Sequence, residues 1–319
     1  MGLRGRTAAV VLAVVAAVLA AGCGGSGDRA QAPQTTTTAT AASRPLFAYD
    51  ASRPLGFRDA GRVNSNYPIA VRDVSYVTPA GRVEAYTVVP LKGTDLPAVI
   101  FLHGSGEDRR RFVLPAAWVA GRGAVGMTLT LPSTSAGAAP TGVTPEQRLA
   151  RDRRVFAADV IAVRRAVDLL ASMPRVDKSR IGLVGWSLGA RVGAVAAGVE
   201  PRLRSVVLMS GGSLPISAYV AQTPAALRRQ VRASLTQIDP LRWLARARGS
   251  IMLQDGRKDQ VVPRTALLEL AKASPKGSVL RWYPAGHELN AQAYRDQLAF
   301  LTKTLPISGP PVKGADTGP

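Results

Sequence analysis

From Ala70 onward the chain alternates short apolar runs with stretches of helical periodicity. The runs Ala70–Val77, Val83–Val89, Ala98–Leu102, Ala124–Leu131, Arg180–Val184, Ser205–Met209, Ser250–Leu253 and Val279–Tyr283 predict strands. The later ones are continuously apolar, as in central strands covered on both faces. Between them Phe156, Val160, Val163, Val167 and Leu170 recur at steps of 4, 3, 4 and 3. That spacing predicts a helix with this stripe inward and with Arg154, Asp159, Arg164, Arg165 and Asp168 on its other faces. Pro174 closes it. Strands alternating with helices imply an α/β domain with a mostly parallel sheet and right-handed crossovers. Only Pro79-Ala80-Gly81 separates the first two strands, which predicts an antiparallel hairpin at one edge of the sheet.

The segments before and after this body read differently. Arg4 and Arg6 precede the apolar run Ala8–Ala21, which as a helix reaches only about 21 Å against roughly 30 Å of hydrocarbon. The run fits the apolar region of a signal peptide, residues 1–22. It ends in Leu19-Ala20-Ala21-Gly22-Cys23, which resembles the lipobox of bacterial lipoproteins. That resemblance implies cleavage before Cys23, diacylglycerol on its thiol, and attachment to the outer side of the cell membrane; a cleaved and fully secreted protein is the alternative. Two acyl chains suffice for stable anchoring. Residues 24–45, rich in Gly, Ser, Ala, Gln, Pro and Thr, bury too little surface to offset chain entropy and are expected to form a flexible tether. The ordered body is expected over 46–305, and the Pro- and Gly-rich tail 306–319 is expected to be disordered.

Composition narrows the chemistry. The 319 residues include 41 Lys and Arg against 21 Asp and Glu, a formal charge of +20, with one cysteine and two histidines. One cysteine excludes an intramolecular disulfide, and two histidines must carry all imidazole chemistry, so neither a metal site nor a cofactor is expected. The basic residues are spread along the chain without aromatic platforms, which argues against nucleic acid and for adsorption to anionic lipids or envelope polymers. The chain is expected to be a monomer.

The strand candidate ending at Val184 runs into Gly185-Trp186-Ser187-Leu188-Gly189, followed by the small-residue helix Ala190–Val199. A serine at such a strand, turn, helix junction projects its hydroxyl above the sheet, while the glycines let strand and helix approach closely. The amide of Leu188 then opens the helix, where it can stabilise an oxyanion.

The segment Asp177–Gly189 resembles the nucleophile elbow of the α/β-hydrolase superfamily, nearest the dienelactone hydrolase and prolyl oligopeptidase-like esterase branch. Upstream, His103-Gly104-Ser105-Gly106 resembles the family's oxyanion turn, which implies the amide of Ser105, with Gly104, as the second donor and His103 as a buttress of the turn. Downstream, Asp255-Gly256-Arg257-Lys258-Asp259 resembles the acid loop. There Asp259 takes the position of the acid, and Asp255 is read as a cap of the turn. Pro284-Ala285-Gly286-His287 resembles the general-base loop, and with His103 in the turn, His287 is the imidazole left for Ser187. The resemblance thus implies an α/β-hydrolase fold with helices on both faces of the sheet and a Ser187, Asp259, His287 triad in the family's chain order.

The same resemblance implies that the insertion 213–248 forms a small helical cap. Its Arg228, Arg229, Arg232, Arg242, Arg246 and Arg248 stand against one acid, Asp239. They are read equally as a solvated face or as part of substrate recognition. Tyr219, Leu227, Leu235 and Trp243 would line an acyl pocket or form the cap's own core. The expected reaction is hydrolysis of a small-molecule, lipid or polymer ester. A peptidase, an envelope acyltransferase and a non-catalytic binding lipoprotein remain alternatives.

Overall fold

The computed structural model describes residues 45–63, 66–137 and 139–308. The signal peptide, Cys23 and the tether up to residue 44, with the tail from residue 309, lie outside the described residues.

The elements in chain order are β1 (Arg58–Arg62), β2 (Val71–Thr78), β3 (Gly81–Val88), β4 (Leu96–Leu102), α1 (Val113–Ala120), β5 (Val125–Leu129), α2 (Pro132–Ser135), α3 (Pro145–Ser172), β6 (Val176–Trp186), α4 (Leu188–Val199), β7 (Leu203–Met209), α5 (Ile216–Ala221), α6 (Arg228–Gln237), α7 (Pro240–Leu244), β8 (Ser250–Gly256), α8 (Arg264–Ala273), β9 (Val279–Tyr283) and α9 (Ala291–Thr304). One nine-stranded sheet has the order β1-β2-β3-β5-β4-β6-β7-β8-β9. Pairing is parallel from β5 through β9 and antiparallel among β1, β2, β3 and β5. This is the α/β-hydrolase architecture that the sequence implied.

Two hydrophobic clusters sandwich the sheet. One gathers Ile100, Leu102, Leu183, Val206 and Leu253 with the stripe of α3 and with α4, while the other gathers Val99, Phe101, Val184 and Val207 with α1 and α9. Alternate residues of one strand therefore feed opposite layers. From β4 the chain crosses to β5 on one side, and from β6 it crosses to β7 on the other, so the crevice at the carboxyl ends of β4 and β6 lies at a switch in strand order.

Several sequence expectations are corrected. The hairpin of β2 and β3 is not the sheet's edge, because β1 pairs outside it. β1 reads Arg-Asp-Ala-Gly-Arg, is almost wholly exposed, and is held by its backbone ladder and a 2.6 Å Arg72–Asp59 pair, so it leaves no apolar signature. β6 starts at Val176, which pairs with Leu96 before a register shift across the polar residues, and continuous pairing resumes at Ile181. α3 begins at Pro145, where Thr144 and Gln147 form a reciprocal capping box. On α3, Asp159 and Arg165 are buried rather than outward-facing. Asp159 accepts from the Ser133 amide at 2.8 Å, and Arg165 donates to the Arg53 carbonyl at 2.9 Å, so neighbouring segments cover a second face of the helix. At the other end, packing continues past Leu305 to Ile307, which is buried in the second cluster.

Candidate active site

β6 delivers Ser187 with φ 55° and ψ −113°, a left-handed backbone that a non-glycine residue adopts only when its surroundings impose it. They do so by close approach. A Cβ on Gly185 would lie 2.2 Å from the Gly189 carbonyl oxygen, and one on Gly189 would lie 2.4 Å from the Leu102 carbonyl oxygen. The two glycines are thus the condition for the turn.

Ser187 faces residues from the far end of the chain. The Ser187 hydroxyl lies 2.9 Å from Nε2 of His287, and Nδ1 of His287 lies 2.8 Å from Oδ2 of Asp259. A carboxylate only accepts, so Nδ1 carries the proton in this arrangement and Nε2 is left to accept from the serine. Burial pushes the Asp259 carboxyl up, but hydrogen bonds from His287 and from the Val262 and Val261 amides outweigh it and hold the group below its ordinary value. The result is a continuous path from the Ser187 hydroxyl to an ionised carboxylate.

Asp255 does not cap the turn. It is fully buried, and neither carboxylate oxygen has a hydrogen-bond partner among the described residues. Burial first, and the Asp259 charge second, raise its pKa to about 8, so it stays protonated and cannot serve as the ionised acid at neutral pH. The two aspartates, four positions apart in sequence, are separated by environment.

The oxyanion turn follows β4, next to β6 in the sheet. Nδ1 of His103 lies 2.7 Å from the Gly104 carbonyl, and Nε2 accepts from the Leu131 amide at 3.0 Å. Burial lowers its pKa, which keeps the ring neutral in this bracing role. The Gly104 amide is already donated to Oε2 of Glu107 at 3.3 Å. The Ser105 amide has no hydrogen-bond partner among the described residues, and the Leu188 amide opens α4. Gly104 has a different duty: a Cβ there would sit 2.5 Å from the Trp186 ring.

Sequence reasoning missed the residues that hold these parts together. The His287 carbonyl accepts from Nε1 of Trp186 at 2.9 Å and from the Ser210 hydroxyl at 2.8 Å. The Trp186 and His287 rings are 5.1 Å apart. Arg111 lies 4.7 Å over the Trp186 ring, pairs with Glu107 at 3.7 Å, and hydrogen-bonds Glu288. The oxyanion turn, the elbow and the base loop are therefore tied through one indole and one guanidinium. The bulky Trp186 between the two elbow glycines was visible in sequence; its partners, far away along the chain, were not.

Residues 99–309 match the model of the Alpha/beta hydrolase family. The chain belongs to this family. Among solved structures it is similar to an acetyl xylan esterase from Paenibacillus sp. R4, with TM-score 0.69 and 20% identity over 82% of this chain and 91% of that one. Acetyl xylan esterase 1 from Thermoanaerobacterium sp. JW/SL YS485 gives TM-score 0.66 and 18% identity over 82% and 91%. A puromycin-hydrolyzing peptidase of Mycobacterium tuberculosis gives 0.60 and 21% over 76% of this chain and 40% of that one. At these identities the likeness is one of fold. A dye-decolorizing peroxidase of Thermobifida fusca is 33% identical over 133 residues, 38% of this chain. The chain spans only 30% of that relative's length. The α/β-hydrolase chain is thus a hydrolase by family.

Proposed function

We propose that this hydrolase cleaves carboxylic esters through a covalent acyl-serine intermediate. The observation that carries the proposal is the unbroken Ser187, His287, Asp259 hydrogen-bond chain at the carboxyl edge of the sheet. Ser187 Oγ attacks the carbonyl carbon as its proton passes to Nε2 of His287. The carbonyl oxygen becomes an oxyanion, which the Leu188 and Ser105 amides stabilise; one such donor is typically worth about 3 kcal/mol of barrier. Collapse breaks the bond to the alcohol oxygen, which takes the proton from His287. Water then attacks the acyl-serine by the same route and releases the carboxylic acid. Asp259 fixes the imidazole tautomer and offsets its transient charge. The fold likeness to esterases over nine tenths of their length supports an ester over a peptide substrate.

The location proposed is the outer face of the cell membrane, with the hydrolase held by lipid on Cys23. Fluorophosphonate labelling followed by a chain-length series of nitrophenyl esters tests the activity. A labelled peptide centred on Ser187 and turnover of short-chain esters are expected; labelling centred on another serine would overturn the assignment. For the anchor, a mature N-terminus at Cys23 with a diacylglyceryl mass is expected, and release into the medium with another N-terminus would overturn it.

A further inference from the structure

Arg191 lies one helical turn beyond Ser187, and its amide donates to the Ser187 carbonyl at 3.2 Å. The inward face of α4 is fixed by two glycines: a Cβ on Gly193 would meet Leu183 at 2.7 Å, and one on Gly189 the Leu102 carbonyl at 2.4 Å. Arg191 falls midway between them in sequence, so at about 100° per residue it projects from the opposite face, the one Leu188 shares. Side chains on a helix lean toward its N-terminus, which here is Ser187. Helix geometry thus favours a guanidinium that leans back along α4 toward Ser187, within electrostatic reach of Tyr219 on α5 of the insertion.

It has no anion there. Arg191 is half-buried, burial lowers its pKa, and the titratable group acting on it is the Tyr219 phenol of α5. Its side chain makes no ion pair or hydrogen bond among the described residues. No carboxylate is among the groups acting on it. Elsewhere in the insertion, Arg228, Arg229 and Arg232 are exposed on α6. Partial burial without a partner carries a cost for a guanidinium, which stays charged at every working pH and here still reaches solvent. A bound anion removes that cost and satisfies a fork of donors shaped for a carboxylate.

We infer that Arg191 is a specificity-determining residue that receives a carboxylate carried by the acyl part of the ester substrate. The acyl group is the part that stays attached to Ser187 through both half-reactions, within one helical turn of this guanidinium. The inference rests on the esterase reading and names its substrate class: half-esters of dicarboxylic acids, or acyl groups ending in a carboxylate.

The test compares nitrophenyl adipate, a half-ester with a free carboxylate, with nitrophenyl hexanoate, which has the same acyl length and no charge. The wild-type hydrolase is expected to favour the adipate. Arg191→Gln is expected to lower the adipate-to-hexanoate ratio of kcat/KM by about tenfold to a hundredfold, mostly through KM, the scale of a lost charged hydrogen bond. Arg191→Lys should recover part of the ratio, and Arg229→Gln, on exposed α6, should not change it. No wild-type preference, or equal losses on both esters in Arg191→Gln, would overturn the inference. A second measurement does not depend on turnover: at fixed ionic strength, adipate should raise Tm of the wild-type chain and not of Arg191→Gln. If Ser187 resists fluorophosphonate, the esterase reading fails while an adipate shift confined to wild type still upholds the anion site; equal shifts in the two proteins overturn it.

Discussion

Ile100, Leu183, Val206 and Leu253, from four neighbouring strands, are 1% exposed or less, whereas α6 in the insertion has no fully buried residue. The insertion is pinned at a few points. Val220, Ile238 and Leu244 are buried, and Trp243 packs edge-on against Phe47 at 5.2 Å while donating to the Gln237 carbonyl at 2.8 Å. Trp243 is thus spent on packing rather than on lining an acyl pocket. The sheet, close-packed on both faces, holds Ser187, His287 and Asp259 in hydrogen-bond contact. The insertion, buried at a few points and polar along α6, can vary without disturbing them.

That contrast predicts effects of falling size. Ser187→Ala should lower kcat by about 10⁶-fold, the scale of losing a triad nucleophile, and abolish fluorophosphonate labelling with an unchanged circular dichroism spectrum. Asp259→Asn should lower kcat by about 10⁴-fold, because the imidazole loses its tautomer, while Asp255→Asn costs far less. Losses in the opposite order, read from ester turnover, would make Asp255 the acid. Ile100→Ala should cost about 2–5 kcal/mol in urea unfolding, since the sheet cannot collapse around the void. Arg232→Gln on exposed α6 should stay within about 0.5 kcal/mol, and a loss comparable to that of Ile100→Ala would erase the distinction between the regions.

Asp255 adds a pH dependence that belongs to the sheet alone. Its folded pKa, raised from 3.8 to about 8, means that the folded chain holds a proton the unfolded chain has released across that window. Stability from this group is therefore full below about pH 4, declines as pH rises, and levels off above about pH 8. Asp255→Asn, which cannot ionise, should gain Tm relative to wild type progressively from pH 4 to pH 8. A difference in Tm that is flat across the window would show that the carboxyl is ionised in the fold.

Much of this molecule was legible along the chain, because the signals concerned are local. Apolar runs report strands covered on both faces, glycines flanking Ser187 report a close strand–helix approach, and the order Ser187, Asp259, His287 follows from motifs each complete within a few residues. β1 escaped because an exposed edge strand needs only backbone pairing, which has no side-chain signature. The fate of Asp255, the Glu107 claim on the Gly104 amide, the Trp186 and Ser210 grip on the His287 carbonyl, and the partnerless Arg191 were decided only in three dimensions. Each depends on which groups the strand order brings alongside, and burial, which sets charge state and hydrogen-bond supply, is a property of that neighbourhood rather than of the residue.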